Sequence, residues 1–467
     1  MKAAILFVAA LLLSAPAQAQ TPLAAERPAV AQAPPPPLQV PYTQFRLPNG
    51  LHVILHEDHT VPMAYVNVLY DVGSANERAG RTGFAHLFEH LMFMGSAHAK
   101  YGVFDQSLEA VGGTNNASTT NDVTNYWIMV PSNALDLALF LESDRMGYLL
   151  DAMTPATVDA QRDVVKNERR ERIENTPYGM AYVTLEEMLY PAGHPYHWPV
   201  VGYMEDLSAA SYDDVLAFFK KYYAPSNASL VVAGDIDSAA TRKLVEKWFG
   251  DVKAGPAPEP MTIPGVALTS VQKKTISDRV ELPRLFMAWL TPRHLEPGDA
   301  ALDIAASILS GGKNSRLYKR LVYDMQIAQD VSAYQLSRNL SSYFLIEATP
   351  RPGHTVQELQ TVIDEEIARM QQADPSGREM ARAINQYEAS FYDQMERLGG
   401  QHGGKADQMN SYFLKTGDPD WFNEDLARYR SLSASDIRAA MTAFLPADRR
   451  VELTVMPEAP PQAGANR

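Results

Sequence analysis

Ten residues near the middle of the chain, Gly255 to Pro264, hold four prolines and no apolar periodicity. Proline fixes φ and removes a backbone donor, so such a run fits neither a helix interior nor a central strand. It reads as a linker, residues 255–265, and it splits a chain of 467 residues into two stretches of ordinary domain size.

The order of elements on its two sides recurs. Before it, Phe45 to Leu47 and Leu51 to Leu55 read as strands joined by Pro48-Asn49-Gly50, where Asn-Gly is a strong turn signal. Ala64 to Tyr70 is a further apolar strand, and Thr82 is expected to cap a helix running through His86 and Glu89 to about Met94. Asn125 to Val130 reads as a strand and Ala134 to Leu149 as an amphipathic helix. Thr154-Pro155 opens a helix carrying Val158, Val164 and Val165 and then the charged run Glu168 to Glu171. Leu230 to Ala233 is a buried strand and Ala239 to Phe249 a helix. Beyond the linker come a strand at 284–290, helices at 300–309 and 315–323, a strand at 343–348, helices at 356–370, 377–398 and 434–444, and a strand at 451–455. The expectation is an α+β chain of two similar units, 42–254 and 266–458, each an antiparallel-rich sheet packed against helices.

The ends read differently. Lys2, the apolar run Ala3 to Leu13 and the small-x-small site Ala17-Gln18-Ala19 form a secretory signal peptide over residues 1–19, with an uncleaved anchor as the alternative. Residues 20–41 are a Pro- and Ala-rich leader, with Pro34 to Pro37 in one run, and 459–467 form a disordered tail. No later stretch approaches a membrane span, so no stable membrane insertion is expected. The net charge of -14 makes nucleic acid an unsuitable partner. The absence of cysteine excludes disulfides and thiolate metal sites and is compatible with a periplasmic location.

His86-Leu87-Phe88-Glu89-His90 is the informative pentapeptide. Residues four apart share a helix face, so His86 and His90 can aim two imidazoles at one ion. Glu89 flanks the same face and suits a carboxylate that holds a water and takes its proton. Catalytic zinc usually has three protein ligands, so a further carboxylate must come from elsewhere. The plain alternative is an amphipathic helix with two surface histidines.

Downstream, after 77 residues, stands Glu168 in Val164-Val165-Lys166-Asn167-Glu168-Arg169-Arg170-Glu171. With the pentapeptide in its flanks, Gly83 to Gly95, the chain here resembles the pitrilysin, insulysin and mitochondrial processing peptidase family, the inverted zincins. The resemblance covers about residues 42–456 and is strongest over 42–235. It implies Zn2+ held by His86, His90 and Glu168, with Glu89 as general base and Glu171 as the competitor for third ligand. Family members often carry a Glu seven residues before that ligand to support the site, and here the position is Gln161. Gly112 to Thr119 resembles the edge strand to which a peptide adds, with Asn116 and Ala117 as expected contacts.

The second unit departs from the pattern. Self-sufficient relatives carry an Arg and a Tyr after a Gly-Gly-x-x-Ser-Arg-Leu stretch, here Gly311 to Leu317, and those two stabilise the oxyanion. At the matching positions this chain has Val322 and Gln329. An oxyanion donor is worth roughly 3–4 kcal/mol, so their loss should leave a poor enzyme. Two-domain relatives pair into a clam shell, which implies a heterodimer in which a second subunit brings the Arg/Tyr pair. Arg316 or Tyr318 are possible substitutes, one helical turn too early. The reading is a periplasmic zinc endopeptidase subunit for short or unfolded peptides. The alternative is a non-catalytic assembly or chaperone subunit that kept the fold. His98 and the His194-Pro195-Tyr196-His197 loop are read as structural, His402 as part of a flexible Gly-rich turn at 399–404, and the 19 methionines as core packing.

Overall fold

The computed structural model describes residues 36–256 and 258–458, so the signal peptide, most of the leader and the tail lie outside the described residues. Eleven strands are Thr43–Arg46 (β1), His52–Glu57 (β2), Met63–Tyr70 (β3), Thr114–Thr119 (β4), Thr124–Pro131 (β5), Ala228–Gly234 (β6), Gln272–Asp278 (β7), Arg284–Thr291 (β8), Ala328–Leu336 (β9), Ser342–Pro350 (β10) and Val451–Pro457 (β11). They form two mixed sheets, ordered β1-β2-β6-β3-β5-β4 and β7-β11-β8-β10-β9. Apart from the added β1, the orders are the same. β1 is antiparallel to β2; in the shared order each sheet starts with a parallel pair, β2 with β6 and β7 with β11, and continues antiparallel. The recurrence read along the sequence is thus a recurrence of topology, and the fold is α+β.

Strand burial explains the composition. β3, β6 and β10 are buried on both faces and rich in Val, Leu, Ala and aromatic residues. On β3, Ala64, Val66, Val68 and Tyr70 face a core shared with Leu87, Phe88 and Leu91 of the Phe84–Leu91 helix. In the second sheet, Leu285, Met287 and Trp289 face a core built with the Asp299–Ser310, Val356–Gln372 and Ala434–Phe444 helices.

The opposite face of each sheet is covered by the other half of the chain. The Lys405–Thr416 helix lies on the first sheet. Phe413 stacks on His52 at 3.5 Å, Asn410 Nδ2 donates to Asn67 Oδ1 (2.6 Å) and Ser229 O (3.2 Å), and Tyr65 donates its hydroxyl to Asp407 (2.7 Å). In exchange, Ala181, Leu185 and Leu189 of the Gly179–Leu189 helix pack with Phe286, Leu345, Val451 and Leu453 of the second sheet. Arg338, beside β9, closes this face with an ion pair to Glu186.

Several local expectations change. Thr82 is not the helix cap: its hydroxyl donates to Asp206 Oδ2 (2.7 Å) and accepts from Tyr203 N (2.9 Å). The cap position is Gly83, at φ 88, where a Cβ would meet Val201 O at 2.7 Å. The helix ends at Leu91 rather than Met94, because Met92 and Phe93 close it with bonds to Phe88 O and His90 O. The helix expected over 315–323 is π-wound across Tyr318–Asp324.

Candidate metal centre

The Phe84–Leu91 helix is short, and its N-terminus is held from outside. The Glu77 carboxylate takes Gly83 N on Oε2 and Ala85 N on Oε1, both at 2.8 Å. Negative charge at a helix N-terminus is favourable, so this acid both caps and orients the helix. Burial pushes the Glu77 carboxyl up, while the backbone N–H groups of Ala85, Gly83 and Phe84 pull it down.

His86 and His90 project from one face of the helix, rings 4.8 Å apart and nearly perpendicular. Glu168 reaches them from the last turn of the Pro155–Arg169 helix, which Thr154 caps by accepting from Thr157 N. Its Oε2 lies 3.0 Å from His90 Nε2 and 3.7 Å from His86 Nε2. Ligand atoms of the three residues all fall within 4.8 Å of one another. Their side chains keep 11%, 23% and 16% of their surface for His86, His90 and Glu168, leaving the centre open on one side. Two imidazoles and a carboxylate with an open position are the donor set of a catalytic zinc site.

The protonation states fit a metal. Burial, with the neighbouring His90, brings the His86 pKa down to about 4, so the ring is a neutral base at ordinary pH. A hydrogen bond from His90 holds the Glu168 carboxyl below its usual range. His86 Nδ1 is buried without a partner. Arg172, one turn beyond Glu168, pairs with its other oxygen at 2.6 Å.

Glu89 stands beside these groups, and Thr119 of β4 donates to its Oε2 at 2.6 Å. Burial raises the Glu89 pKa and the Thr119 hydroxyl works against that rise. Two cavities flank the centre. One of 640 Å³ is lined by Glu89, His90, Phe93, Trp127, Gln401 and Asp407, among others. One of 350 Å³ holds His86, Arg172, Ile173, Pro199 and Val201. Ala117 and Ser118 of β4 border both. β4 is the edge strand of its sheet, so one side of its backbone is open along the centre. A separate cavity of 760 Å³, where the 120–123 and 336–339 turns meet, contains none of the pentapeptide.

Other sequence candidates fall as follows. Glu171 is exposed and outside the cluster. Gln161 is buried on the Glu168 helix, but its amide points to Met94 Sδ at 2.9 Å. Asn116 lines the 640 Å³ cavity, and its side chain accepts from Ala117 N. Val322 packs against the second core and Gln329 is exposed on β9. Arg316 is held by Glu379 through two bonds, 2.7 and 3.0 Å, and Tyr318 packs against the second core. His194 stacks on Tyr190, and His197 bonds to Tyr190 O. Sequence reading missed Glu77, Thr119, Arg172 and the reach of 400–407 into the site. Arg172 had a signal, its four-residue spacing from Glu168; the others depend on tertiary contacts.

Among the described residues, the second sheet has no counterpart centre. Its Asp299–Ser310 helix also follows a left-handed glycine, Gly298, but the residues at the positions of His86, Glu89 and His90 are Ala301, Ile304 and Ala305. All three are buried.

Residues 52–190 match the Insulinase (Peptidase family M16) description and residues 209–387 the Peptidase M16 inactive domain. Zinc protease PqqE of Helicobacter pylori is 32% identical over 375 residues, covering 78% of this chain and 82% of that protein. An uncharacterized zinc protease of Bacillus subtilis, YmxG, is 24% identical, covering 74% and 83%. The crystal structure of a protease from Helicobacter pylori superposes with a TM-score of 0.81 at 27% identity, over 90% of this chain and all (100%) of that one. The periplasmic protease PqqL from Escherichia coli shares the fold at a TM-score of 0.72 and 16% identity, with 48% of its length covered. With its four pentapeptide and helix-borne side chains gathered in the first half and an apolar replica in the second, this chain belongs to the M16 (insulinase) peptidase family.

Proposed function

We propose that the chain is a zinc metalloendopeptidase subunit that cleaves short or unfolded peptides in the periplasm. The observation that carries this reading is the convergence of His86 Nε2, His90 Nε2 and Glu168 Oε2 beside Glu89, on an open sheet edge. His86, His90 and Glu168 would hold the ion. Bound zinc supplies a Lewis acid that polarises the scissile carbonyl and makes water acidic enough to attack. Glu89 takes the proton of the attacking water and returns it to the leaving amine. Thr119 fixes the Glu89 carboxylate by its hydrogen bond to Oε2. The substrate backbone adds to the outer edge of β4 at Asn116 and Ala117, a mode that selects extended chains. Units 42–254 and 266–458 are joined by 255–265, and residues 1–19 direct export. Among the described residues no helix is long and apolar enough to cross a membrane.

The oxyanion donor comes from a second subunit of the same family. Val322 and Gln329 occupy the positions where relatives hold it, and Arg316 is engaged by Glu379. The test is cleavage of an unstructured peptide library by the zinc-loaded mature chain, with its Glu89→Gln variant as control. Weak cleavage by the chain alone that is abolished by Glu89→Gln, with zinc still bound, supports the reading. Robust cleavage by the chain alone overturns the partner requirement. Cleavage equal in parent and variant overturns the peptidase assignment.

A further inference from the structure

The two oxygens of Glu168 have different neighbours. Oε2 lies 3.0 Å from His90 Nε2 and 3.7 Å from His86 Nε2. Oε1 lies 2.6 Å from Arg172 Nη1. The Glu168 side chain is 16% exposed and that of Arg172 is 78% exposed, so a largely solvated arginine meets an enclosed carboxylate.

The backbone between them is unusual. The Pro155–Arg169 helix ends one residue after Glu168, and Arg170–Glu174 is wound as a π turn, with Asn175 N donating to Arg170 O at 2.7 Å. Such turns are rare and gather at functional sites. The neighbouring arginines are committed elsewhere. Buried Arg169 donates to Gly202 O (2.8 Å) and Glu174 Oε1 (3.0 Å), and Arg170 donates to Asn167 Oδ1 (2.7 Å). Among the described residues lining the two cavities beside the centre, the arginines are Arg169 and Arg172, and there is no lysine. With Arg169 spent, Arg172 is the cation that serves Glu168.

A glutamate side chain turns about several bonds, and fixing it costs entropy. Unheld, its carboxylate can offer an ion either oxygen or both. Offering both would fill the position that a catalytic site keeps for water. Resting on the zinc reading above, we propose that Arg172 is a positioning residue: by holding Glu168 Oε1 it leaves Oε2 alone for the ion and keeps the fourth position open. Charge by itself would act in the opposite direction. A guanidinium repels a dication, so on that ground loss of Arg172 would tighten zinc binding. Water and salt screen that repulsion around a side chain so exposed. Removing the partner that orients a ligand costs about 10–100-fold in metal affinity, so positioning outweighs repulsion.

The test is metal binding by the mature chain, which does not depend on turnover. Zinc affinity is measured by competition with a chromophoric chelator, and coordination is read from the visible spectrum of the Co2+-loaded protein. Arg172→Ala should bind zinc about tenfold or more weakly than the parent. Its cobalt bands should weaken, because a second carboxylate oxygen raises the coordination number. Arg172→Lys keeps a charged donor for Oε1, so it should stay within about threefold of the parent and retain the parent spectrum. Arg170→Ala, which removes the bond to Asn167, should change neither reading. Zinc held by Arg172→Ala as tightly as by the parent, or more tightly, overturns the inference. An unaltered cobalt spectrum in that variant also overturns it, as does a lysine variant as impaired as the alanine. The zinc reading fails by a different result, a parent chain that takes up no zinc, and the inference falls with it.

Discussion

Replacing Glu77 by glutamine tests how the helix of the pentapeptide is held. Both Glu77 oxygens accept backbone N–H groups, from Gly83 and Ala85 at 2.8 Å each. Two accepted N–H bonds favour the carboxylate as the capping species, against the upward push of burial. Glutamine keeps one acceptor and turns an amide N–H₂ toward the other backbone donor. The variant loses one charge-assisted bond, about 1.5–3 kcal/mol, and leaves a donor unmet. It also loses the charge–dipole attraction, about 0.3–1 kcal/mol. Relief from burying a charge offsets part of this, and the side chain is only partly buried. The expected net loss is about 2 kcal/mol. Urea unfolding of the metal-free chain measures it as a lower midpoint at unchanged slope, provided tryptophan fluorescence and far-UV circular dichroism give coincident transitions. Glu77→Ala should cost more than Glu77→Gln. A glutamine variant within about 0.5 kcal/mol of the parent would refute the reasoning and mean that the cap is a neutral acid.

Three further outcomes are expected. Glu168→Gln should weaken zinc binding at least about 100-fold in equilibrium dialysis, while Glu171→Gln leaves it unchanged; equal effects would reject the choice of ligand. Burial, reinforced by Arg46, holds His52 down to about 4 in the folded protein, so the unfolded chain binds the extra proton between about pH 6.5 and 4. Stability contributed by neutral His52 is therefore full above that window and lost as pH falls through it; a His52→Asn variant should show a flatter urea midpoint across it. Gly399→Ala drives a methyl group into the Tyr65 ring, and thermal unfolding should report a loss of about 1–3 kcal/mol, absent if the turn is loosely packed.

The parts of this molecule that were legible in the sequence are those governed by local periodicity. The four-residue spacing of His86 and His90 puts two rings on one face, and the Thr154-Pro155 pair opens the helix that delivers Glu168. Buried strands such as β3 and β10 announce themselves by unbroken apolar runs. Polar edge strands do not. β7, Gln272–Asp278, is mostly exposed and carries two lysines, so nothing in its composition marks a strand; pairing with β11 makes it one. The Gly179–Leu189 and Lys405–Thr416 helices were equally silent, because each packs on a sheet that lies in the other half. Thr82 has the chemistry of a cap but is claimed by Asp206, while the true cap, Glu77, sits too far upstream for the usual spacing rule. The Gly399–Gly404 stretch reads as a flexible turn, and only the fold brings it beside His90 and Glu168.

The crossing of these two helices makes the peptide link between the halves dispensable. If the opposite half left, one sheet would expose an apolar face, Phe286, Leu345, Val451 and Leu453, and the other a set of groups stripped of their partners, His52, Tyr65 and Asn67. A protease nick in the proline-rich segment would therefore yield two fragments that stay clasped, like hands with interlaced fingers. Any motion along the midline of this body would have to break these packed contacts.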